Sequence, residues 1–312
     1  MKILSALIVA LLCSGAAHAG CPSFPQIGDI AFAYANRTPV AHFPELSSMA
    51  DAYCAQGMFA ATIGRQKGVQ AGYRASHTSA AERSAISIDT PLRGLLFTDM
   101  FLHDGARVPV DYAAGPRISA DLIAVAADDD LQRARTPLEA LRHIAYFVPV
   151  IDLSDALVEP GNGLAPLEIV ASNLGTRLAV MGTPIPVEPS EEFLERLARI
   201  EVVMSDTDGR VVGRGRTADL LGHPMQALMW LARDLEFNAQ RIQSGDRIAL
   251  GGLFRAVLPH VGERLTARYV GPDIDAQVSV AFTRELERDQ ADVDVLDPPP
   301  LPAFVRALSD ND

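Results

Sequence analysis

The sequence predicts an α+β domain with a largely antiparallel core. Its strand-like segments are short and are broken by only a few helices, without the regular strand–helix alternation of a parallel sheet. Two of the helices are marked by their starts, a Thr-Pro-Leu-Glu capping box at residue 136 and a Gly-His-Pro turn that ends at Pro224. These observations favour antiparallel sheets with a few flanking helices.

The N-terminus has the pattern of a secretory signal peptide. Met1-Lys2 is a positive start, residues 3–12 are apolar, and Ala17-His18-Ala19 is a cleavage site of the A-x-A type. The apolar run is too short to span a bilayer as a helix. We therefore expect residues 1–19 to be a signal peptide cleaved near Ala19, and the mature protein to be periplasmic or secreted.

The mature chain keeps two cysteines, Cys21 and Cys54. In an oxidising compartment such a pair favours one disulfide, which would tie the mature N-terminus to a helical segment. Two alternatives stay open: a buried free Cys54 beside a mobile Cys21, and a lipid anchor at Cys21. Against the anchor, His18 stands where lipoprotein signals have an aliphatic residue. No CxxC motif or Cys/His cluster indicates a structural zinc site.

The charged residues argue against some classes of binding partner. A formal net charge of −12 argues against nucleic acids and anionic membranes. The basic residues are almost all arginines, and the lysines are Lys2, which leaves with the signal peptide, and Lys67. Lysine chemistry would therefore depend on Lys67, which we interpret as a solvated charge at a helix end.

After the signal peptide, we expect an irregular lead-in over residues 21–46, rich in proline and aromatic residues, and a helix over 46–64 capped by Ser47 or Ser48. Residues 93–110 contain a predicted hairpin with its turn at Asp104-Gly105.

The following segments are predicted from apolar periodicity and turn residues. The predicted strands are residues 116–126, 146–153, 176–182, 199–205, 246–252, 264–271 and 275–283. The predicted helices are residues 136–144, 190–198 and 224–238. We divide the chain into an N-terminal lead-in and helical appendage (20–70), a main domain (71–283) and a flexible, acidic, proline-rich tail (284–312).

Four stretches resemble the fumarylacetoacetate hydrolase superfamily: RGLLFTDM (93–100), PRISADL (116–122), GRGRTADLLGHPMQALMWLARDL (213–235) and SGDRIALGG (244–252). The branch they resemble comprises the 2-oxopent-4-enoate hydratases and 2-oxo-3-hexenedioate decarboxylases of aromatic meta-cleavage pathways. The resemblance extends from about Asp51 to about Phe282. It implies a mixed, curved β-sandwich roll with flanking helices and a small helical N-terminal part, assembled into homo-oligomers, with the main domain catalytic.

The resemblance also implies a chemistry. Members of this superfamily hold Mg²⁺ or Mn²⁺ with three carboxylates and bind a 2-oxo acid through its carboxylate and keto oxygens, so that the metal stabilises an enolate. A hydratase then adds water, and a decarboxylase loses CO₂. We therefore expect a lyase, a hydro-lyase or carboxy-lyase, that acts on a small 2-oxo acid in aromatic catabolism.

Three residues match the metal ligands of the family. In the R-x-E-x-E motif, Asp121 keeps a carboxylate and Ser119 replaces the first glutamate, while Asp152 matches the third ligand. The resemblance therefore implies a Mg²⁺ or Mn²⁺ site of Asp121 and Asp152, completed by Ser119 or water, with a charge of −2 in place of −3. Asp155 is the nearest further acid. The alternative is a vestigial pocket in which the acids are hydrogen-bonded.

Arg74 occupies the position of the family's catalytic lysine, and Leu92 that of an acid. An arginine stays protonated and cannot serve as a neutral base, but it can bind a carboxylate. It could also pair with Asp121 or Asp152, its guanidinium replacing the charge of the metal, and both interpretations can hold together. From the resemblance, Arg74, Ser119 and Asn173 are the predicted substrate-binding residues, and Arg74 and Asn173 the predicted catalytic ones.

Two histidines complete the candidates. His77 lies near Arg74 and could act as a proton shuttle, whereas His223 stands in the Gly-His-Pro turn, where a structural role is expected. A second hypothesis comes from the changes at Arg74, Leu92 and Ser119, which together remove a base, an acid and a ligand. It describes the protein as a non-catalytic, small-acid-binding descendant.

Overall fold

The computed structural model describes residues 21–159 and 165–284 of the chain. The predicted signal peptide lies outside the described residues, as does the predicted tail beyond residue 284. The helices are α1 (Phe24–Ala35), α2 (Met49–Lys67), α3 (Ala80–Ala85), α4 (Pro137–Arg142), α5 (Ala165–Ala171), α6 (Glu191–Ala198) and α7 (Pro224–Phe237). The strands are β1 (Gln70–Ser76), β2 (Leu92–Phe97), β3 (Phe101–His103), β4 (Ala106–Pro109), β5 (Pro116–Ala126), β6 (Ile144–Asp155), β7 (Leu178–Met181), β8 (Ile185–Pro186), β9 (Glu201–Ser205), β10 (Val211–Arg216), β11 (Arg247–Ala249), β12 (Arg264–Gly271) and β13 (Ile274–Thr283).

The strands form two sheets. The first has the order β2-β1-β11-β5-β6-β7-β3, with β8 also paired to β6, and the second has the order β10-β9-β12-β13-β4. Most neighbours are antiparallel, but β1 with β11, β3 with β7 and β4 with β13 are parallel. Strands β12 and β13 pack on β6, and the core between the sheets includes Leu122, Ile151 and Val280. This mixed, curled architecture with flanking helices confirms the predicted fold class.

The first part of the lead-in forms helix α1, where the prediction of an irregular segment was wrong, whereas residues 36–46 are irregular as predicted. Helix α1 begins with a capping box, in which Ser23 and Gln26 bond reciprocally, and with a proline in its first turn. That position suits proline because the first N–H groups of a helix have no intrahelical partner. Its buried face packs on α2 in a second hydrophobic core that also contains Leu92 and Val170.

The residues before α1 are joined covalently to α2. Cys21 and Cys54 form a disulfide that links them to the second turn of α2. This confirms the predicted pairing. The cap of α2 is Ser48, which is one of the two predicted caps. Its side chain accepts a hydrogen bond from the N–H of Asp51.

The predicted hairpin around Asp104-Gly105 was also wrong. The turn is present, with Gly105 at a φ of 77°, but β3 pairs with β7 in the first sheet and β4 pairs with β13 in the second. The Oδ1 of Asp104 accepts a hydrogen bond from the N–H of Ser279 on β13. The turn therefore carries the chain from one sheet to the other, because both strands find partners outside the turn.

The central strands and the longer helices agree with the sequence patterns. Strand β5 covers residues 116–126 as predicted, and β6 extends the predicted strand by two residues at each end. Helix α4 has the Thr136–Glu139 capping box, and α7 starts at Pro224. None of the helices within the described ranges is both long and apolar enough to cross a bilayer.

Candidate functional site

The floor of the site is the pair of antiparallel strands β5 and β6 at the centre of the first sheet. Ser119 lies opposite Asp152, and Asp121 lies opposite Val150. Because alternate residues of a strand share a face, Ser119 and Asp121 point to the same side. Strand β11 separates β5 from β1, which carries Arg74. The topology thus brings together residues that are up to 78 positions apart in sequence.

Arg74 and Asp152 form a bidentate ion pair. The Nη1 and Nη2 atoms of Arg74 donate to Oδ1 and Oδ2 of Asp152, each at 2.7 Å. Both residues are only 5% exposed. Burial opposes the charge of the guanidinium, but the carboxylates of Asp152 and Asp121 outweigh burial and raise the pKa of Arg74 above its ordinary value. This arrangement matches the ion-pair interpretation of Arg74.

Asp121 lies under the pair and is 1% exposed. Its Oδ1 accepts hydrogen bonds from the backbone N–H groups of Leu122 at 2.7 Å, Gly251 at 2.9 Å and Leu250 at 3.1 Å. Its Oδ2 lies 3.9 Å from Nη2 of Arg74. Burial, with a smaller contribution from Asp152, raises the pKa of Asp121 to about 7, against the opposing effect of Arg74. The carboxyl is therefore held by backbone donors on one oxygen and faces the guanidinium with the other.

A pocket of about 1390 Å³ opens above this floor. Arg74, Ser119 and Asp152 line it, together with His77 and Arg117. Ser119 is 6% exposed. Its hydroxyl lies across from Gly252: a Cβ added at Gly252 would be 3.7 Å from Oγ of Ser119. The volume is sufficient for a small organic acid. The floor therefore offers a buried cation, a hydroxyl and the carboxylate of Asp152 to a ligand in this pocket.

Asn173 is close to the site but is bound to the backbone. Its Oδ1 accepts from the N–H of Leu95 at 2.8 Å, and its Nδ2 donates to the carbonyl of the same residue at 2.9 Å. It is fully buried, with a φ of 55°, and its neighbours Ser172 and Leu174 line the pocket. Both ends of the amide therefore position strand β2, and the predicted binding of a substrate by Asn173 stays a prediction.

The other candidates have distinct surroundings. Asp155 is bound by Nη1 of Arg177 at 2.9 Å and by the N–H of Gly115 at 2.9 Å, so it belongs to a separate ion pair. The Nδ1 of His223 accepts from the N–H of Met225 at the start of α7, and its Nε2 lies 3.0 Å from the carbonyl of Leu194. His223 therefore has the expected structural role.

His77 and Lys67 differ in their relation to the pocket. His77 lines it, with Nδ1 at 3.1 Å from Oγ of Ser76, and burial lowers its pKa, with Glu82 opposing and Arg74 adding to the shift. Lys67 ends α2, where burial lowers its pKa. Lys67 is half-buried, which differs from the predicted solvated charge.

Comparison with known proteins identifies the family. A scan against models of known protein families finds no match. The chain is 30% identical over 193 residues to the 2-keto-4-pentenoate hydratase 1 of Dechloromonas aromatica (strain RCB), an alignment that covers 62% of this chain and 71% of that protein. The chain belongs to the fumarylacetoacetate hydrolase superfamily. Within it, the chain lies in the branch of these hydratases and of the 4-oxalocrotonate decarboxylases.

Solved structures agree with this placement. The 4-oxalocrotonate decarboxylase of Pseudomonas putida G7, solved with magnesium and adipate, superposes with a TM-score of 0.71 at 26% identity, covering 83% of this chain and 96% of that one. The fumarylpyruvate hydrolase of Pseudomonas aeruginosa, solved with Mn²⁺ and pyruvate, has a TM-score of 0.50 at 13% identity, covering 70% of this chain and 90% of that one, and shows the shared fold. Divalent metals are therefore bound by structural neighbours in this superfamily.

The residues of this superfamily member do not form a matching set of donors for a divalent metal. Both oxygens of Asp152 accept from Arg74, and Oδ1 of Asp121 accepts from three N–H groups, which leaves Oδ2 of Asp121 and the neutral hydroxyl of Ser119. Mg²⁺ keeps several waters among its six oxygen ligands and is usually held by one or two carboxylates, whose oxygens must be free to coordinate it. Within residues 21–159 and 165–284, no three His, Cys, Asp or Glu side chains are grouped to hold a metal ion.

Two residues of the site were not found from the sequence. Tyr269 on β12 is fully buried, and its Oη lies 2.7 Å from the carbonyl of Asp121 and 2.9 Å from that of Val150. Glu82 at the start of α3 lines the pocket, and its Oε1 would lie 3.3 Å from a Cβ added at Gly252. The alternating pattern of β12 could have indicated a buried tyrosine, but its partners depend on packing between the two sheets.

Proposed function

We propose that this protein is an exported lyase of the hydratase and decarboxylase type that acts on a small, enolisable 2-oxo acid. The observation that carries the proposal is the pocket floor, where a buried arginine and serine face a cavity in the fold of this branch. Relatives in the branch are named for hydration or decarboxylation of such acids. An origin of the substrate in aromatic catabolism, and assembly into homo-oligomers, remain predictions.

The residues of the floor supply binding and proton transfer. Arg74 offers N–H donors to the carboxylate of the acid, and the hydroxyl of Ser119 can donate to its keto oxygen. Since the guanidinium stays protonated, another group must move the proton between the α- and γ-carbons. His77 lines the same pocket, and its lowered pKa keeps it neutral and able to accept a proton near neutral pH.

Export is supported by two features of the chain. The first is the signal peptide pattern over residues 1–19, and the second is the Cys21–Cys54 disulfide, a bond that is rare in proteins of the reducing cytosol. Fractionation of the producing cell tests this part of the proposal. The protein is expected in the periplasm or medium with residues 1–19 removed, and an uncleaved cytosolic protein would contradict it.

Turnover is tested with 2-hydroxypenta-2,4-dienoate and 2-oxo-3-hexenedioate, of which the first loses its conjugated chromophore on hydration and the second is converted into the first, with a change of absorbance, on decarboxylation. The assay is run in chelator and with added Mg²⁺ or Mn²⁺. We expect turnover that is abolished in His77→Gln and strongly reduced in Arg74→Gln. The exposed Arg210, in the turn between β9 and β10, gives a matched control in Arg210→Gln. No turnover of either acid under any of these conditions would refute a lyase of this class.

A second candidate is a non-catalytic protein that binds small acids. It is favoured by Arg74, which stands at the position of the family's lysine and is held by Asp152. Loss of a general base alone lowers a rate by about 10²- to 10⁴-fold. Saturable binding of a 2-oxo acid without turnover would favour this candidate over the lyase.

A further inference from the structure

We propose that the guanidinium of Arg74 takes the place of a divalent cation, so that the pocket binds the carboxylate of a small organic acid without metal. The ligand class rests on the proposed function, whereas the replacement of the metal rests on the geometry of Arg74, Asp121 and Asp152. The test below separates these two parts.

The positive charge of Arg74 lies between two acids. The guanidinium lies between the carboxylates of Asp152, at 2.7 Å, and Asp121, at 3.9 Å. These are the two acids that the family resemblance assigns to a metal. A cation that entered here would have to take Asp152 away from Arg74. The guanidinium would then be buried without its partner and close to a second positive charge, both of which are unfavourable.

Few oxygen donors remain for a metal ion. Serine at position 119 adds no charge, and one oxygen of Asp121 is already held by three N–H groups. Two carboxylates and a guanidinium carry a formal charge of −1, the same as three carboxylates and a divalent ion. The loss of one carboxylate at Ser119, together with the replacement of a divalent ion and a neutral lysine by one guanidinium, therefore leaves the formal charge unchanged.

One N–H donor of Arg74 has no partner among the described residues. The Nε of Arg74 is buried and has no hydrogen-bond partner among the described residues. A buried N–H without an acceptor is unfavourable, and the residue lines the pocket. A guanidinium has five N–H donors in a fixed plane, of which Asp152 takes two. A carboxylate in the pocket would accept from the N–H groups of the guanidinium that Asp152 leaves, with Ser119 as a further donor.

The test uses the mature, disulfide-bonded protein after removal of metals with EDTA. Pyruvate and adipate are titrated calorimetrically in EDTA and again with Mn²⁺, and Mn²⁺ alone is titrated by the loss of its free EPR signal. We expect at least one acid to bind with an affinity that EDTA and Mn²⁺ change by less than about twofold. We also expect no stoichiometric Mn²⁺ site. Arg210→Gln should behave as the wild type.

Two variants make the test specific. Arg74→Gln should weaken binding of the acid by about tenfold or more, because a charged donor is lost. The double variant Arg74→Lys/Ser119→Glu restores the residue types of the family at these two positions and should gain a stoichiometric Mn²⁺ site that Ser119→Gln lacks. Near-UV circular dichroism verifies the fold of each variant, and the gain of metal by the double variant does not depend on the stability of Arg74→Gln.

The outcomes are separable from those of the turnover assay. A stoichiometric Mn²⁺ site in the wild type, acid binding that needs Mn²⁺, or no binding of either acid would overturn the inference. Turnover that requires metal would uphold the lyase and overturn this inference. Metal-independent binding without turnover of either substrate would uphold the inference and contradict the lyase.

Discussion

Removal of the positive charge in Arg74→Gln should destabilise the fold strongly, and in a pH-dependent way. The substitution leaves the carboxylates of Asp152 and Asp121 buried, with exposures of 5% and 1%. Loss of one partner of a buried ion pair costs about 3–5 kcal/mol. The cost has an upper limit, because the variant can protonate a carboxyl, and protonating an ordinary carboxyl at pH 7 costs about 4 kcal/mol. We therefore expect a loss of about 3–4 kcal/mol at pH 7.

The same reasoning gives the pH dependence. Protonating an ordinary carboxyl at pH 5 costs only about 1.5 kcal/mol, so the loss in Arg74→Gln should fall to about that value. The sign follows from linkage: the folded variant binds a proton that its unfolded chain releases, so its stability decreases as pH rises. Urea unfolding under non-reducing conditions at both pH values measures the difference. The double variant Arg74→Gln/Asp152→Asn should lose much less than the sum of the single variants.

An equal loss at pH 5 and pH 7, or a loss below about 1 kcal/mol at pH 7, would refute this reasoning. Such a result would mean that Arg74 and Asp152 are solvated in the native state. The comparison with Asp152→Asn is informative, because this variant leaves the guanidinium with Asp121 as its remaining acidic partner. We expect Asp152→Asn to be destabilised at both pH values, since an arginine cannot lose its proton in this range.

Further predictions concern Asp121, Tyr269 and the disulfide. Because burial raises the pKa of Asp121 from an unfolded value near 3.8 to about 7, its carboxyl should contribute stability that is full below pH 4 and lost as pH rises through 7. Asp121→Asn should flatten that part of a urea-unfolding profile, and an unchanged profile would contradict the assignment. Tyr269→Phe should cost about 1–3 kcal/mol by the same assay, because the carbonyls of Asp121 and Val150 lose their buried donor; a cost near zero would mean that water replaces the hydroxyl. The Cys21–Cys54 disulfide spans a sequence separation of 33 residues, so its reduction should cost about 3–4 kcal/mol, whereas an unchanged midpoint with reductant would contradict this.

The sequence predicted elements best where local signals agreed with packing. Strand β5 is a long apolar run, and α4 and α7 begin at prolines, so their positions follow from local chemistry. Helix α1 was missed because proline and aromatic residues were read as breaking structure, although a proline in the first turn stabilises a helix start. The crossing between β3 and β4 was missed because a hairpin turn and a sheet-to-sheet turn have the same local sequence.

The site residues were found for a different reason. Ser119, Asp121, Asp152 and Arg74 followed from the order of family motifs, and the structure brings them together at the floor of one pocket. The partners of each side chain could not be predicted in the same way. Strand β11 lies between β1 and β5, so the contact of Arg74 with Asp152 depends on sheet order and on the length of the arginine side chain. The two backbone bonds of Asn173 depend on how β2 passes it.

The two sequence interpretations of Arg74, as an ion-pair partner and as a binder of substrate, use different edges of one side chain. The Nη1 and Nη2 atoms each donate to Asp152, whereas Nε is buried and has no partner within the described part of the chain. Asp152 fixes the plane of the guanidinium. A ligand that accepts from its remaining N–H groups therefore costs less side-chain entropy of Arg74 on binding. The ion pair is therefore the support that makes Arg74 a directed donor. A lysine, with its single ammonium, could not hold Asp152 bidentately and present a second fixed edge at the same time.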